Sequence, residues 1–508
     1  MKILIVFLLL FSALKAKTQQ TYDRVIDSLY HPDEPGGVAL VAQHGHILYQ
    51  RAFGMADMEL GVKMQPEMLF EIGSMTKQFT AVCILQLAEQ GKLRTGDSLS
   101  KYIDSCPPAW QGIKLEHLLT HTSGIIDLSG PMGNLNEILK MYKDRALSFS
   151  PGTKRVYSNI GYALFGFVIE KVSGEPYPDY LQQHILKPLG LDHTVYGNTT
   201  TIIPGRVPCY IRSKNGKAFH NAVFNLQTSA AGALLSNVAD LWKWNSALTG
   251  GQVISKNNLE RAWTSYHLAD GKNTHYGYGW QTEGFIQGSL AVEHGGVAVG
   301  YLTDALYVPE EDIFVAVFSN QRGVVPEIPA AKLAAIALGK PDTMHVIPTD
   351  EKTLQAYIGT YKEEEDTTAR QITLVANHLY YQRSDGPRLE MKRFGPDQFL
   401  FDNTSVTGLF KRDDKKQVIG LSLFELRHPG EPSTIFQKER NNLLKQVVFL
   451  IIFHSSFCNA WQLLHHCNIA VYFIQPPFSS CFGYYIIFTV FMSMPKAAVY
   501  KNYRFVFW

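Results

Sequence analysis

The sequence predicts an α+β protein. It should combine a mixed or antiparallel sheet flanked by helices with a helical subdomain, followed by a small antiparallel β domain. Three observations carry this. Strand-like apolar runs stand at 37–50 and again at 290–319, with helical periodicity dominating between about 74 and 250. That order requires one sheet closed by sequence-distant strands around an inserted helical region. Beyond residue 350, short runs alternate with turn signals, the pattern of a small all-β unit. Finally, 508 residues exceed what one core fills, since single cores stop growing at roughly 250–300 residues.

Taken in order, residues 1–16 place Lys2 before the apolar run 3–11 and then Ser12, Ala13 and Ala16. Charged, apolar, small is the order of a secretory signal peptide, and the run is too short to span a bilayer comfortably. The body is therefore expected to be exported, with the signal cleaved or kept as an anchor. Two strands are read at Gly37–Gln43 and 46–50 around His44-Gly45. A helix of about four turns should start near Ser74 and stop at Gly91. Pro/Gly loops such as Ser150-Pro-Gly-Thr153 break the helical region, and strands return at 290–293, 300–308 and Ile313–Ser319.

This first body is assigned to 17–339, a linker to 340–350 and the β domain to 351–440. Runs at 371–374, 378–382, 389–393, Gln398–Phe401 and 418–424 supply the β domain, with turns at 384–387, 395–397 and 413–414. Residues 441–508 form an aromatic-rich tail without Asp or Glu. Its longest apolar stretch is broken by Pro476-Pro477 and Ser479-Ser480, a poor bilayer span. The tail reads either as a degenerate membrane-associating segment or as a stretch translated out of frame, and we favour the second. The tail and an uncleaved signal are the two routes to membrane association; oligomeric state is not legible.

The chain carries 47 Lys+Arg against 45 Asp+Glu, a formal charge of +2. Lys2, Lys15, Lys445, Lys496, Lys501 and Arg504 all lie in the two ends. Without those six cations residues 17–440 hold 41 positive against 45 negative charges, a net of −4. A mildly acidic body gives nucleic acid no electrostatic foothold. Three cysteines in the body, Cys83, Cys106 and Cys209, have unrelated spacings and suggest no disulfide framework. His117 and His121 stand four apart, but no Glu follows His117 and packing is the simpler reading; no metal and no cofactor are expected.

The chemistry concentrates in three motifs. Ser74-Met-Thr-Lys77 puts a hydroxyl and an amine three residues apart, on one face of a helix. A serine needs a base to become nucleophilic, and a buried lysine becomes one when its pKa falls from about 10.4. A helix N-terminus adds N–H groups suited to a developing oxyanion. Tyr157-Ser-Asn159, after a Pro-Gly loop, supplies a proton-relaying phenol and an amide able to hold a carbonyl. His294-Gly295-Gly296 sits at an expected strand, its glycines allowing close approach by a substrate backbone. The cluster Tyr276, Tyr278 and Trp280 either floors a pocket or packs.

These three motifs, in this order, resemble the serine hydrolases related to class C β-lactamases, D-Ala-D-Ala carboxypeptidases and esterase-like penicillin-recognising enzymes. Supporting stretches are similar too: Leu118-Leu-Thr-His-Thr-Ser-Gly124, Ala231-Gly-Ala-Leu-Leu-Ser236, Tyr276-Gly-Tyr-Gly-Trp280 and Val315-Ala-Val-Phe-Ser-Asn320. The resemblance spans about residues 22–335 and implies a β-lactamase/transpeptidase-like fold. The β domain is similar to an accessory domain of some exported relatives.

The resemblance implies that Ser74 is acylated, that Lys77 and Tyr157 relay protons and that Asn159 binds the acyl-side amide. It further implies an oxyanion hole from the backbone N–H groups of Ser74 and Val297, with His294 lining the pocket opposite Lys77. The lactamase pattern has Lys-Thr-Gly where this chain has His294-Gly-Gly296. A mostly neutral His loses the permanent cation that draws a substrate carboxylate. Esters, amides and D-amino-acid peptides therefore stay open as substrates, the partner being a small molecule or a short peptide. The alternative is a non-catalytic protein of the same fold that binds penicillin or peptidoglycan peptides.

Overall fold

The computed structural model describes residues 19–128, 132, 134–213, 218–223, 229–340, 346–363, 368–384, 386, 388–402, 404, 406–425, 434–438, 470–473 and 486–489. The signal peptide expected at 1–16 and most of the tail at 441–508 lie outside the described residues.

The α+β expectation holds. The main sheet contains β1 (Gly37–Gln43), β2 (His46–Phe53), β3 (Gln281–Ile286), β4 (Ser289–Val297), β5 (Leu302–Val308) and β6 (Ile313–Ser319), in the order β3-β4-β5-β6-β1-β2. All neighbours run antiparallel, and the first and last strands of the sheet in sequence meet where Gly37 pairs with Ser319. β1 and β6 read as unbroken apolar runs because both faces of the sheet are covered. Val38, Leu40, Ala42, Phe314, Ala316 and Phe318 enter the core beneath the helical region. Ala39, Val41, Val315 and Val317 face the other way, against Tyr22, Ile26, Leu333 and Ala334. Those four come from residues 19–27, which are helical, and from the helix Glu327–Ala337. Each Val, Leu, Ile or Phe among them, fully buried, stabilises the fold by roughly 1.5–3 kcal/mol before chain entropy is counted.

Two helices position the site. The helix α1 (Thr76–Glu89) is buried on nearly every side from Thr76 to Leu85, as a helix at the centre of a core must be. Phe79 stacks on Trp244 at 4.2 Å, and Cys83 is one of its core residues. Gly91, at φ +70°, turns the chain out of α1. The helix α2 (Asn159–Ser173) is capped by Ser158, whose hydroxyl accepts from the Gly161 N–H, and ends at Gly174, φ +80°.

The region between 74 and 250 is less uniformly helical than its periodicity suggests. It includes short strands at Val195–Tyr196, Tyr210–Arg212, Phe219–Asn221 and Leu234–Ser236. The last of these pairs with Phe70–Glu71 and so anchors the chain just before Ser74.

Residues 359–438 close into an eight-stranded antiparallel barrel, joined first to last where Tyr361 pairs with Lys438. The five runs read from sequence are present at Arg370–Val375, His378–Arg383, Arg388–Gly395, Gln398–Phe401 and Val418–Glu425. Gly359–Lys362, Val406–Arg412 and Thr434–Lys438 complete the ring and remove its open edges. Tyr357, Tyr361, Phe399 and Phe410 fill the interior. Separately, Ala470–Phe473 and Ile486–Thr489 pair antiparallel with each other.

Candidate active site

Ser74 sits in a 3-10 turn, Gly73–Met75, two residues before α1 starts. The spacing of three therefore spans a change of helix type, and it still brings Lys77 Nζ to 3.1 Å from Ser74 Oγ. Lys77 Nζ also lies 2.8 Å from Asn159 Oδ1 and 2.8 Å from the Ala231 carbonyl oxygen. Its hydrogen-bond partners are thus three neutral oxygens. A neutral amine has two N–H groups and one lone pair. The two carbonyl oxygens use both N–H groups, which leaves the lone pair for the Ser74 hydroxyl. Lys77 is completely buried, and burial lowers its pKa to about 7, with Asp127 pulling it back up. Near neutral pH a large share of Lys77 is therefore a free base.

Tyr157 and Asn159 flank Ser158, whose backbone is extended at φ −138° and ψ 117°. Extended chain turns alternate side chains to the same side, so a Tyr-x-Asn spacing can deliver both to Lys77. Lys77 Nζ lies 4.8 Å from the centre of the Tyr157 ring. Burial raises the Tyr157 pKa, opposed by a hydrogen bond with Ser74 and by the charge of Arg155. The residue's surface is 38% exposed, so solvent works against that rise. The phenol is protonated at neutral pH.

Asp127 is a site residue that the sequence reading passed over. Its carboxylate accepts from the Ser158 hydroxyl at 2.9 Å and from the backbone N–H groups of Asn159 and Ile160 at 2.8 and 3.0 Å. It also accepts from Asn159 Nδ2 at 3.0 Å. Because the Asn159 amide donates to Asp127, its oxygen must face Lys77. The only hint in the sequence was an acidic residue three positions after Gly124, which is too weak to single out.

His294 is 3% exposed. Its Nδ1 is 2.6 Å from the Gly295 carbonyl oxygen and its Nε2 is 3.0 Å from the Tyr276 hydroxyl. A carbonyl can only accept, so Nδ1 carries the proton and the Tyr276 O–H donates to Nε2. Burial, followed by the Lys77 charge, lowers the His294 pKa to about 3. The imidazole is neutral.

Gly296 could not be another residue: a Cβ there would lie 2.0 Å from the Ile72 carbonyl oxygen and 2.3 Å from Thr303 Oγ1. At Gly295 it would meet Glu327 Oε1 at 3.0 Å. A Cβ on Gly73, which has φ +50°, would lie 2.9 Å from the Val297 nitrogen. That closeness holds the Ser74 turn against the end of β4, and Val297 itself is 58% exposed there. All eight residues singled out in the sequence, from Ser74 to Val297, thus fall on three segments that meet around Lys77.

The aromatic cluster divides between the two readings. Tyr276 belongs to the site through His294, whereas Tyr278 is hydrogen-bonded to Glu116 and Trp280 packs against Trp263. His117 and His121 are structural. His117 Nδ1 accepts from the Lys114 N–H and His121 Nδ1 from the Ser158 N–H, with the His121 ring 4.1 Å from that of Tyr157. Among the described residues no group of three or more His, Cys, Asp or Glu side chains is arranged to hold a metal, and no helix is long and apolar enough to cross a membrane.

Comparison with known proteins bears on the family and the fold. The family described as Beta-lactamase matches residues 22–339. Penicillin-binding protein 4* of Bacillus subtilis is 27% identical over 428 residues, 77% of this chain and 94% of that protein. The octameric penicillin-binding protein homologue from Pyrococcus abyssi superposes with a TM-score of 0.60 at 25% identity, covering 83% of this chain and 99% of that one. A D-stereospecific amidohydrolase from Streptomyces sp. shares the fold, with a TM-score of 0.51 at 24% identity over 59% of this chain and 94% of its own.

Proposed function

The chain belongs to the Beta-lactamase family, and on that premise we propose that it is an exported serine hydrolase that forms an acyl-enzyme on Ser74 and cleaves an amide or ester. The observation that carries this is the Lys77 ammonia-like environment: full burial, two carbonyl acceptors and a lone pair aimed at Ser74 Oγ 3.1 Å away.

Neutral Lys77 takes the Ser74 proton as Oγ attacks the scissile carbonyl. The oxyanion forms against the backbone N–H groups of Ser74 and Val297, where preorganised donors act most strongly. Tyr157, protonated in the resting site, gives its proton to the leaving amine or alcohol and recovers one from Lys77. Water then attacks the ester on Ser74 through the same pair. Asn159 serves twice, accepting from Lys77 and offering its amide edge to the substrate. Export rests on the charged, apolar, small order of residues 1–16.

Within this class, esterase, D-aminopeptidase and D,D-peptidase chemistry are the candidates. The Streptomyces relative is by its name a D-stereospecific amidohydrolase, which favours amides of D-amino acids as first substrates to try. Ser74→Ala should abolish turnover of an activated ester while leaving the melting temperature in place; retained turnover would refute the acyl-enzyme. A fluorophosphonate or a fluorescent penicillin should label Ser74 in the wild type. For the penicillin, release over time marks a hydrolase and permanent retention a binding protein.

A further inference from the structure

His121 binds no metal, yet it holds Tyr157 from three directions. It follows the helix Leu115–Leu119 and is 1% exposed. Its carbonyl oxygen accepts from the Val156 N–H at 3.0 Å, and its Nδ1 accepts from the Ser158 N–H at 3.1 Å. The backbone is therefore gripped on both sides of Tyr157. The His121 ring lies 4.1 Å from the Tyr157 ring, tilted by 34°. Tyr162 and Tyr276 close round the same imidazole at 5.2 and 4.7 Å.

This arrangement costs stability twice. His121 has φ +59°, a left-handed backbone that few residues other than glycine adopt. Burial, then the Lys77 charge, keeps the ring neutral. With Nδ1 accepting, the proton sits on Nε2, which makes no hydrogen bond among the described residues. A phenylalanine would pack among three tyrosines without leaving a buried N–H unpaired. Packing alone therefore does not account for a histidine here, whereas the grip on residues 156 and 158 does.

We propose that His121 is a positioning residue that fixes the Tyr157 phenol for delivery of a proton to the leaving group. The proposal rests on the hydrolase reading and adds to it a determinant of which leaving groups can be expelled. As an acyl C–N bond breaks, the Tyr157 O–H proton passes to the nitrogen, and the Lys77 ammonium restores it. Amines and alkoxides need that proton; nitrophenolate and fluoride depart without one.

The test uses the full chain and two substrates with the same acyl group, a nitrophenyl ester and an alkyl amide. Acylation expels the leaving group, and kcat/KM reports no later step. His121→Phe keeps an aromatic ring beside Tyr157 and removes the Nδ1 acceptor. It should lower the amide-to-ester ratio of kcat/KM roughly 10–100-fold, the scale of a misplaced general acid. His121→Asn tolerates the left-handed backbone and keeps an acceptor for the Ser158 N–H. It should lose less, and it carries the test should His121→Phe not fold. In a Tyr157→Phe background neither change should lower the ratio further. A merely structural role would slow both substrates alike, so equal losses, or a further loss in that background, overturn the proposal. Fluorophosphonate labelling of Ser74, which expels fluoride, separates the two readings. A wild type that neither labels nor turns over would sink the hydrolase reading and the role of His121 with it. Labelling and turnover with an unchanged ratio in both variants would sink the role of His121 alone.

Discussion

Replacing Asp127 by Asn separates orientation from charge. The carboxylate gathers four donors at the start of α2 and, through the Asn159 amide, stands one side chain behind Lys77. Hydrogen bonds of 2.8 and 3.0 Å on either side of that amide keep the two charges within about 8 Å of each other. At about 8 Å, with an effective dielectric constant of roughly 40–80, their attraction is about 0.5–1 kcal/mol. Asp127 favours the ammonium form, so removing its charge lowers the Lys77 pKa further from about 7. The expected shift is roughly 0.4–0.8 pH unit, since one unit corresponds to about 1.4 kcal/mol. Neutral Lys77 is the active form, so wild-type kcat/KM should rise with pH through about 7. In Asp127→Asn that rise should come at lower pH. The plateau should meanwhile drop roughly 10–100-fold, because Asn159 loses the partner that fixes its amide. The loss of a helix-capping acceptor should cost about 1–2 kcal/mol of stability. The assay is kcat/KM on an activated ester from pH 5 to 9, in parallel for both proteins. A limb that stays in place or moves to higher pH, or a plateau equal to wild type, would refute the reasoning.

Gly296→Ala should lower the melting temperature by several degrees, equivalent to about 2–3 kcal/mol, because its Cβ would lie 2.0 Å from a backbone oxygen that cannot swing away; an unchanged melt would show that the Ile72 segment yields. In the barrel, Arg412 donates from Nε at 2.9 Å and from Nη2 at 2.7 Å to Asp397 and holds its carboxyl below the usual range. That contribution is fully present above about pH 4 and disappears as pH falls through the depressed folded value. Arg412→Ala should therefore cost about 1–3 kcal/mol at pH 7 and nothing extra once Asp397 is protonated, as read from denaturant melts across pH 2–7; a loss that is constant with pH would mean that packing, not charge, is what Arg412 supplies.

What could be read in the sequence and what could not differ by the range over which the signal acts. Ser74 with Lys77, Tyr157 with Asn159, and the His294–Gly296 run are short motifs whose internal spacing is itself geometry, so they could be named from the chain alone. Asp127 acts by meeting residues on another segment, and it looks like any loop acid until α2 is seen to start on it. The Ala231 carbonyl is invisible in principle, since every residue has one. Tyr276 could not be separated from Tyr278 and Trp280, because all three lie in one five-residue stretch and only the fold sends them to His294, Glu116 and Trp263. The main sheet was legible through β1 and β6, where two covered faces give continuous apolar runs. The edge strand β3 was missed, since its sequence Gln-Thr-Glu-Gly-Phe-Ile mixes polar and apolar positions. In the barrel, Val406–Arg412 and Thr434–Lys438 escaped for the same reason.

The pairing of β1 with β6 has a consequence for how the molecule is made. Ser319 Oγ bonds the Gly36 carbonyl across 283 residues of chain at 3.2 Å. During synthesis the first hairpin emerges with its central neighbour still unwritten, and it must wait until residue 319 has been delivered. Ser74 and Lys77 come out early, and the strand bearing His294 comes more than two hundred residues later. Closing so long a loop is entropically slow, and it leaves apolar edges uncovered in the meantime. The site is thus complete only after its late strands have been delivered, and a nascent chain stalled before β6 has no centre to its sheet.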